Sequence, residues 1–299
     1  MLSCPTDDQL IGHYPSPLDV SVAHVGVRTG VRHGTAPGKS RHTGASLSPG
    51  TDSAPVRGRA SGHDGRVTSL THDLTDAVAS ATDRLLGTVR ALSDEDGTAP
   101  SLCEGWTRCH VVAHLALNAE ALAGVLRGLR DGRPTTMYAS AGGRDADIDA
   151  LATEALSVVR ERLATASRSL GEVLGIAAGL GTDIVFERTP GGPRIPAGRI
   201  ALMRLGEVEI HHADLDAGYS WADWPEATAR TMLDDAVGRN DGPGVVLSAT
   251  EGGRWTLGSR ADAVTVAGPA AALAWWSTGR RADAVLSSST GELPRMEGR

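Results

Sequence analysis

Leu205-Gly206-Glu207-Val208-Glu209-Ile210-His211-His212-Ala213-Asp214-Leu215 decides how this chain is read. Leu205, Val208 and Leu215 are apolar, and neither Gly nor Pro interrupts the run between Glu207 and Gly218, so the pattern predicts a helix. Glu207 and His211 stand four residues apart, which places a carboxylate and an imidazole on one face about one turn apart. Two such groups can share a divalent metal; on spacing alone, an exposed or core-satisfied pair explains them as well. His212 is rotated about 100° from His211 and reads as a core or ligand-supporting histidine. Asp214, three residues after His211, reads as a hydrogen-bond partner of a ligand. Pro196 suits the first turn of this helix, which is expected over 196–217.

The other half of the constellation lies upstream, in Gly105-Trp106-Thr107-Arg108-Cys109-His110-Val111-Val112-Ala113-His114-Leu115. Thr107 is a candidate N-cap for a helix over 107–130. His110 and His114 are again four apart. Helical bundles build metal sites from inward-facing His and carboxylate groups on facing helices, and two histidines with one glutamate leave a tetrahedral metal one open position. The competing reading makes both histidines hydrogen-bonded core residues. Asn118, four after His114, shares its face and reads either as a cofactor contact or as an ordinary interhelical hydrogen bond. Trp106 reads as a plug across the bundle end.

Composition agrees with a helical body. The chain has 299 residues and a formal charge of −7, which gives a nucleic-acid role no electrostatic support. Its hydrophobic fraction of 40% includes only one Phe and three Tyr; Ala, Val and Leu dominate, which suits closely approaching helices. No run of eighteen apolar residues occurs, so no membrane span is expected. Cys4, Cys103 and Cys109 do not make a disulfide framework, and a reduced, cytoplasmic setting is expected. Residues 1–66 are rich in Gly, Ser, Thr, Pro, Arg and His without periodicity and read as a disordered extension. The scattered His13, His24, His33, His42 and His63 are not read as ligands.

The remaining chain reads as a first bundle helix over 70–92, a loop from Asp94 to Trp106, and a long third helix over 145–176. A short extended piece over 183–188 precedes the Glu207 helix. After Gly218 the pattern changes to a helix over 227–237, short strands over 244–249, 254–257 and 264–266, a helix over 270–278 and a last strand over 284–287. The expected organisation is mainly α: an extension over 1–66, a four-helix bundle over 67–220, a small α+β domain with an antiparallel sheet over 221–288, and a flexible tail over 289–299.

Four segments in order resemble one family: GWTRCHVVAHLALNAEAL (105–122), MYASAGGRDADID (137–149), GEVEIHHADLDAG (206–218) and GPAAALAWWSTGR (268–280). The chain is similar to the mycothiol-dependent maleylpyruvate isomerase family, within the superfamily of DinB-like metal-binding four-helix bundles. The resemblance implies His114, Glu207 and His211 as metal ligands, with His110 as the rival to His114. It implies Arg280 as the C-terminal catalytic arginine, with Arg281 adjacent, and Arg144 as a loop arginine able to guide an anionic group; an interdomain ion pair for Arg280 and a surface salt bridge for Arg144 stay open beside these roles. Asn118 and Arg144 are thus the candidate cofactor-binding residues. A divalent metal is expected, zinc by donor type, with nickel, iron or manganese also compatible.

The resemblance further implies that a sugar-linked thiol cofactor, mycothiol, is held as a thiolate by the metal. Its addition to an activated C=C bond, rotation and elimination would convert maleylpyruvate to fumarylpyruvate. Partners are then small molecules only, with neither nucleic acid nor membrane. A mycothiol-dependent transferase and a non-catalytic metal-binding bundle remain open beside this isomerase.

Overall fold

The computed structural model describes residues 64–237, 244–258 and 263–296, with the backbone alone over 64–72. The expected extension over 1–66 therefore lies almost wholly outside the described residues, as does the end of the tail.

Helix α1 (Asp64–Ala91) and helix α3 (Arg108–Arg130) are joined by a segment expected to be loop. It instead contains a one-turn helix, α2 (Asp94–Thr98), because Ser93 and Asp96 form a capping box that satisfies the first free N–H groups. Thr107 caps α3 as its sequence suggests. The expected long third helix is two helices, α4 (Ala141–Leu151) and α5 (Leu156–Ala178). A local and a long-range hydrogen bond replace the helical ladder in the break: Thr153 Oγ1 donates to Ala150 O at 2.7 Å, and Cys109 Sγ of α3 donates to Glu154 O at 3.6 Å. Arg144 consequently sits in the first turn of α4.

The extended piece is one strand of a hairpin, β1 (Val185–Glu187) against β2 (Arg194–Pro196). Pro196 thus closes β2 and does not open a helix. A 3-10 turn over Ala197–Arg199 leads into α6 (Ile200–Asp214), which ends three residues before the expected end at 217.

α1, α3, α5 and α6 form the bundle. Small residues make the α3–α5 seam close: Ala113, Ala116, Ala119 and Ala123 of α3 are fully buried, as are Val159 and Leu163 of α5. α3 is long and apolar enough to cross a membrane, but most of it is buried inside the bundle, as a core helix requires.

Beyond α6 come a 3-10 turn over Trp221–Asp223, α7 (Glu226–Val237), β3 (Val245–Ala249), β4 (Arg254–Leu257), β5 (Val264–Gly268), α8 (Ala270–Ser277) and β6 (Ser287–Ser288). The sheet order is β4-β3-β5-β6. It is mixed, not antiparallel: β3 pairs with β5 in parallel, Val245 opposite Val264 and Leu247 opposite Val266.

There are two apolar cores, and α6 serves both. Leu205 and Val208 enter the bundle core, whereas Ile210 and Ala213 enter the C-terminal core with Trp224, Leu233, Leu247 and Trp275. A helix buried on every side has no solvent face for its polar residues. Arg204, Glu207, Glu209, His211, His212 and Asp214 are all buried with it, and each must be satisfied within the protein.

Candidate metal centre

Helix spacing delivers His114 from α3, and Glu207 and His211 from α6, to one buried point. Their ligand atoms lie within 4.8 Å of one another, and none of the three residues is more than 3% exposed. His114 Nε2 is 2.8 Å from Glu207 Oε2, and His211 Nε2 is 3.4 Å from that same oxygen. The imidazole centroids are 4.6 Å apart, edge to face. Trp106 covers the site, its ring 5.6 Å from that of His114.

Behind the cluster, His211 Nδ1 donates to Asp214 Oδ2 at 2.9 Å. That bond turns Nε2 inward, where it is buried without a hydrogen-bond partner among the described residues. Burial alone would lower the His211 pKa, but the Asp214 and Glu207 carboxylates outweigh it and hold it at about 9. Glu207 shows the converse: burial pushes its pKa up, and the charge and hydrogen bonds of His114 and His211 bring it well below the usual carboxylate value. The metal-free centre is therefore a carboxylate between two imidazoles, His211 carrying the positive charge at neutral pH.

These donors fit a metal ion. Two imidazole nitrogens and one carboxylate oxygen are a zinc-type set, and a tetrahedral ion with bonds of about 2.0–2.2 Å sets its donors roughly 3.3 Å apart. The 3.4 Å separation of His211 Nε2 from Glu207 Oε2 matches that edge. His211 Nε2, facing Glu207 without a hydrogen bond of good geometry, is the nitrogen a cation would take up.

His110 does not join the cluster. Its Nδ1 lies 2.7 Å from Thr107 Oγ1 and 3.3 Å from Thr107 N, so it serves the cap of α3. His212 points to the opposite side of α6. Its Nε2 is 2.7 Å from Thr88 Oγ1, and its ring stacks on Tyr219 at 3.7 Å. Burial pushes its pKa down to about 4, so it stays neutral.

Comparison with known proteins bears on the fold and family. Residues 78–216 match the mycothiol maleylpyruvate isomerase N-terminal domain. Two solved structures, the mycothiol-dependent maleylpyruvate isomerase and a His-to-Ala mutant of it, each superpose with a TM-score of 0.67 at 27% identity. Each alignment covers 75% of this chain and 95% of the other. Residues 78–216 thus match this family's N-terminal domain, and the chain as a whole is similar to the mycothiol-dependent maleylpyruvate isomerase. Its fold is accordingly the DinB-like bundle with a small C-terminal α+β part. No curated protein matches it.

Within this maleylpyruvate isomerase fold, the other expected site residues are engaged in structure. Asn118 is buried, and its Oδ1 accepts from Arg204 Nη1 at 2.8 Å; its Nδ2 has no partner among the described residues. Arg144 is buried at the rim of the cluster. Its Nη2 donates to His114 Nδ1 at 3.2 Å, its Nη1 donates to Asp145 Oδ1 at 2.7 Å, and its guanidinium lies 5.8 Å from the Tyr138 ring centroid. A guanidinium cannot accept, so in this geometry His114 Nδ1 accepts from Arg144 and Nε2 faces Glu207. Arg188 approaches the same Tyr138 ring at 5.6 Å. Arg280 reaches in from the segment after α8 and pairs with Asp214, Nε to Oδ1 at 2.9 Å and Nη2 to Oδ2 at 2.6 Å. Burial would raise the Asp214 pKa, but Arg280 and His211 lower it to about 2.

A cavity of about 300 Å³ adjoins this pair, walled by Asp214, Tyr219, Trp221, Trp275 and Arg280. Cys109 is a free, buried thiol whose pKa burial raises, with Asp94 adding to it, so it is a poor thiolate.

Sequence reasoning missed a second buried polar group beside the first. Glu209 accepts from Arg84 at 2.7 Å and from the Tyr219 hydroxyl at 2.5 Å. Burial and Glu209 together raise the Tyr219 pKa. The available signal was the Glu207-Val208-Glu209 alternation: on a helix buried all round, the second carboxylate also needs a partner.

Proposed function

We propose that the protein is a metal- and mycothiol-dependent isomerase that converts maleylpyruvate to fumarylpyruvate, with His114, Glu207 and His211 as the metal ligands. The observation that carries this reading is the buried convergence of those three donors on one point, in a chain whose residues 78–216 match this family's N-terminal domain. When bound, the metal would hold the cofactor's thiol as thiolate, and that thiolate would make the substrate's C=C bond transiently single.

The protein's own residues set the conditions for that chemistry. Asp214 keeps His211 Nδ1 protonated, so Nε2 presents a lone pair once the ring is neutral. Glu207 supplies the one ligand charge, and its depressed pKa keeps it ionised. Trp106 and the apolar bundle keep water from the inner side of the centre. Arg144, buried beside His114, is the group of this reading placed to attract an anionic substrate. Asn118 and the Leu115 carbonyl both accept from Arg204 Nη1, which ties α6 to α3 behind the ligands. A cytoplasmic setting would supply the thiol in reduced form.

The test is turnover of maleylpyruvate by purified protein, with and without mycothiol, after metal removal and after zinc is returned. Isomerisation that needs both thiol and metal is the expected result. A fully metallated protein that leaves maleylpyruvate unchanged in the presence of mycothiol overturns the isomerase assignment and favours thiol transfer to other electrophiles.

A further inference from the structure

Resting on the metal-ligand reading above, we propose that Arg280 is a positioning residue that acts through Asp214 on His211, rather than a group that holds substrate. The guanidinium, the carboxylate and the imidazole form one continuous line. Arg280 gives Asp214 two parallel hydrogen bonds, at 2.9 and 2.6 Å, and Asp214 Oδ2 takes the His211 Nδ1–H at 2.9 Å. Each member is nearly inaccessible: Asp214 and His211 are 1% exposed and Arg280 8%.

The rest of the guanidinium is also engaged. Its Nη1 donates to Thr278 Oγ1 at 3.2 Å, and its plane lies 5.1 Å from the Trp275 ring centroid. Thr278 Oγ1 is itself held by the Trp275 carbonyl at 2.6 Å. The aim of Arg280 is set by the backbone. Gly279, at φ 84°, ends α8 in the left-handed conformation that glycine adopts freely, and so turns the following residue back toward α6. Asp214 is fixed independently, because its own carbonyl accepts from Leu102 N at 2.8 Å.

The two bonds fix where the Asp214 oxygens can be, and hence the orientation and tautomer of the His211 ring. Outer partners of ligating histidines do this in metal sites generally, and losing them costs about 10–100-fold in metal affinity. In this protein the outer partner is completed by a residue 66 positions away in the C-terminal segment. The C-terminal segment would thereby adjust the metal centre without touching the ion.

The experiment uses full-length protein with Arg280→Met, Arg280→Lys, Asp214→Asn and the Asp214→Asn/Arg280→Met double variant. Zinc affinity is read by chelator competition and ligand geometry by the visible spectrum of the cobalt-loaded protein, with near-ultraviolet circular dichroism to verify folding. Asp214→Asn is expected to weaken zinc about 10–100-fold and to alter the cobalt bands. Arg280→Met should change the same two readouts in the same direction, and Arg280→Lys should restore much of the cobalt spectrum. The double variant should be no weaker than Asp214→Asn alone, because Arg280 acts only through that carboxylate.

If Arg280→Met abolishes turnover while zinc affinity and the cobalt spectrum match wild type, the inference is overturned and Arg280 contacts substrate. Additive losses in the double variant also overturn it. Should Arg280→Met not fold, Arg280→Lys and Asp214→Asn still decide: an unchanged cobalt spectrum in both refutes the relay. A wild-type protein that takes up neither zinc nor cobalt is a different result, since it removes the metal reading and the relay together.

Discussion

Replacing Glu207 by Gln is the substitution that most directly isolates metal binding. Gln keeps the shape and removes the one charge among the three donors. The metal-free protein will itself lose stability, because Glu207 is the buried carboxylate between His114 and His211. Breaking such a pair costs on the order of 3–5 kcal/mol, less if His211 then gives up its proton. The informative quantity is therefore the zinc-induced shift within each variant, which cancels that cost. With zinc at one hundred times its dissociation constant, the wild-type protein gains about 2.7 kcal/mol. Roughly 220 described residues at about 2.1 cal/mol/K each give an unfolding entropy of about 0.47 kcal/mol/K, so zinc should raise the midpoint by about 6 °C. Loss of a direct ligand must cost more than the 100-fold that outer partners produce. Even at 100-fold, the gain at the same zinc concentration falls to about 0.4 kcal/mol, or roughly 1 °C. Thermal unfolding monitored by circular dichroism, with zinc and with chelator, measures both shifts. A Glu207→Gln protein that zinc still stabilises by about 6 °C would refute the ligand assignment.

Three further outcomes follow from the same geometry. The His211 pKa is raised to about 9 in the metal-free protein, so its contribution to stability is complete below the unfolded value near 6.5 and is lost as pH rises through 9. Urea unfolding of metal-free protein should accordingly show stability falling between pH 6.5 and 9, and a His211→Gln protein should lose that slope; an equal slope in both contradicts the shift. Glu209→Ala leaves the Tyr219 hydroxyl without its acceptor, while the partly exposed Arg84 can turn to water, and should cost about 1–3 kcal/mol in urea unfolding, while the zinc-induced shift persists. A cost below about 1 kcal/mol would show that this second polar group is not what holds α1 to α6. Asn118→Leu removes one acceptor of a buried guanidinium that keeps the Leu115 carbonyl and should destabilise by about 1–3 kcal/mol; unchanged stability with a raised KM for the thiol would instead make Asn118 a cofactor contact.

What could be read from the chain divides along the range of the interactions. Thr107 capping α3, and the i,i+4 relation of Glu207 to His211, are decided within one or two helical turns, and both were legible. So were α7, α8 and the first three strands after Gly218, which glycine and aspartate punctuate, whereas the last strand, expected over 284–287, is only Ser287–Ser288 because 283–285 form a turn. The break at 152–155 was not, because Ala152, Thr153, Glu154 and Ala155 carry no strong helix breaker. What separates α4 from α5 includes a contact from Cys109, far away in sequence. The parallel pairing of β3 with β5 was hidden for a related reason. Each strand alternates as it would in a hairpin, and only the position of β4 on the outer edge excludes antiparallel pairing of neighbours.

The choice between His110 and His114 shows the same division at the level of the site. Both lie on one side of α3, so periodicity could not separate them. Their chemistry could have: a histidine at the third position of a helix is within reach of its own cap, and His110 is held there by Thr107. One turn further on, the backbone donors are already satisfied, so His114 is left to find its partners across the bundle in Glu207 and Arg144. The role of Arg280 lay further out of reach. A sequence places an arginine after a glycine, but whether its guanidinium faces a substrate or an aspartate depends on α6 being shared by two cores. Ile210 and Ala213 pack into the C-terminal core, and this brings Asp214, one residue beyond them, against Arg280. The apolar face of α6 that no bundle partner covers is therefore what links the C-terminal segment to His211.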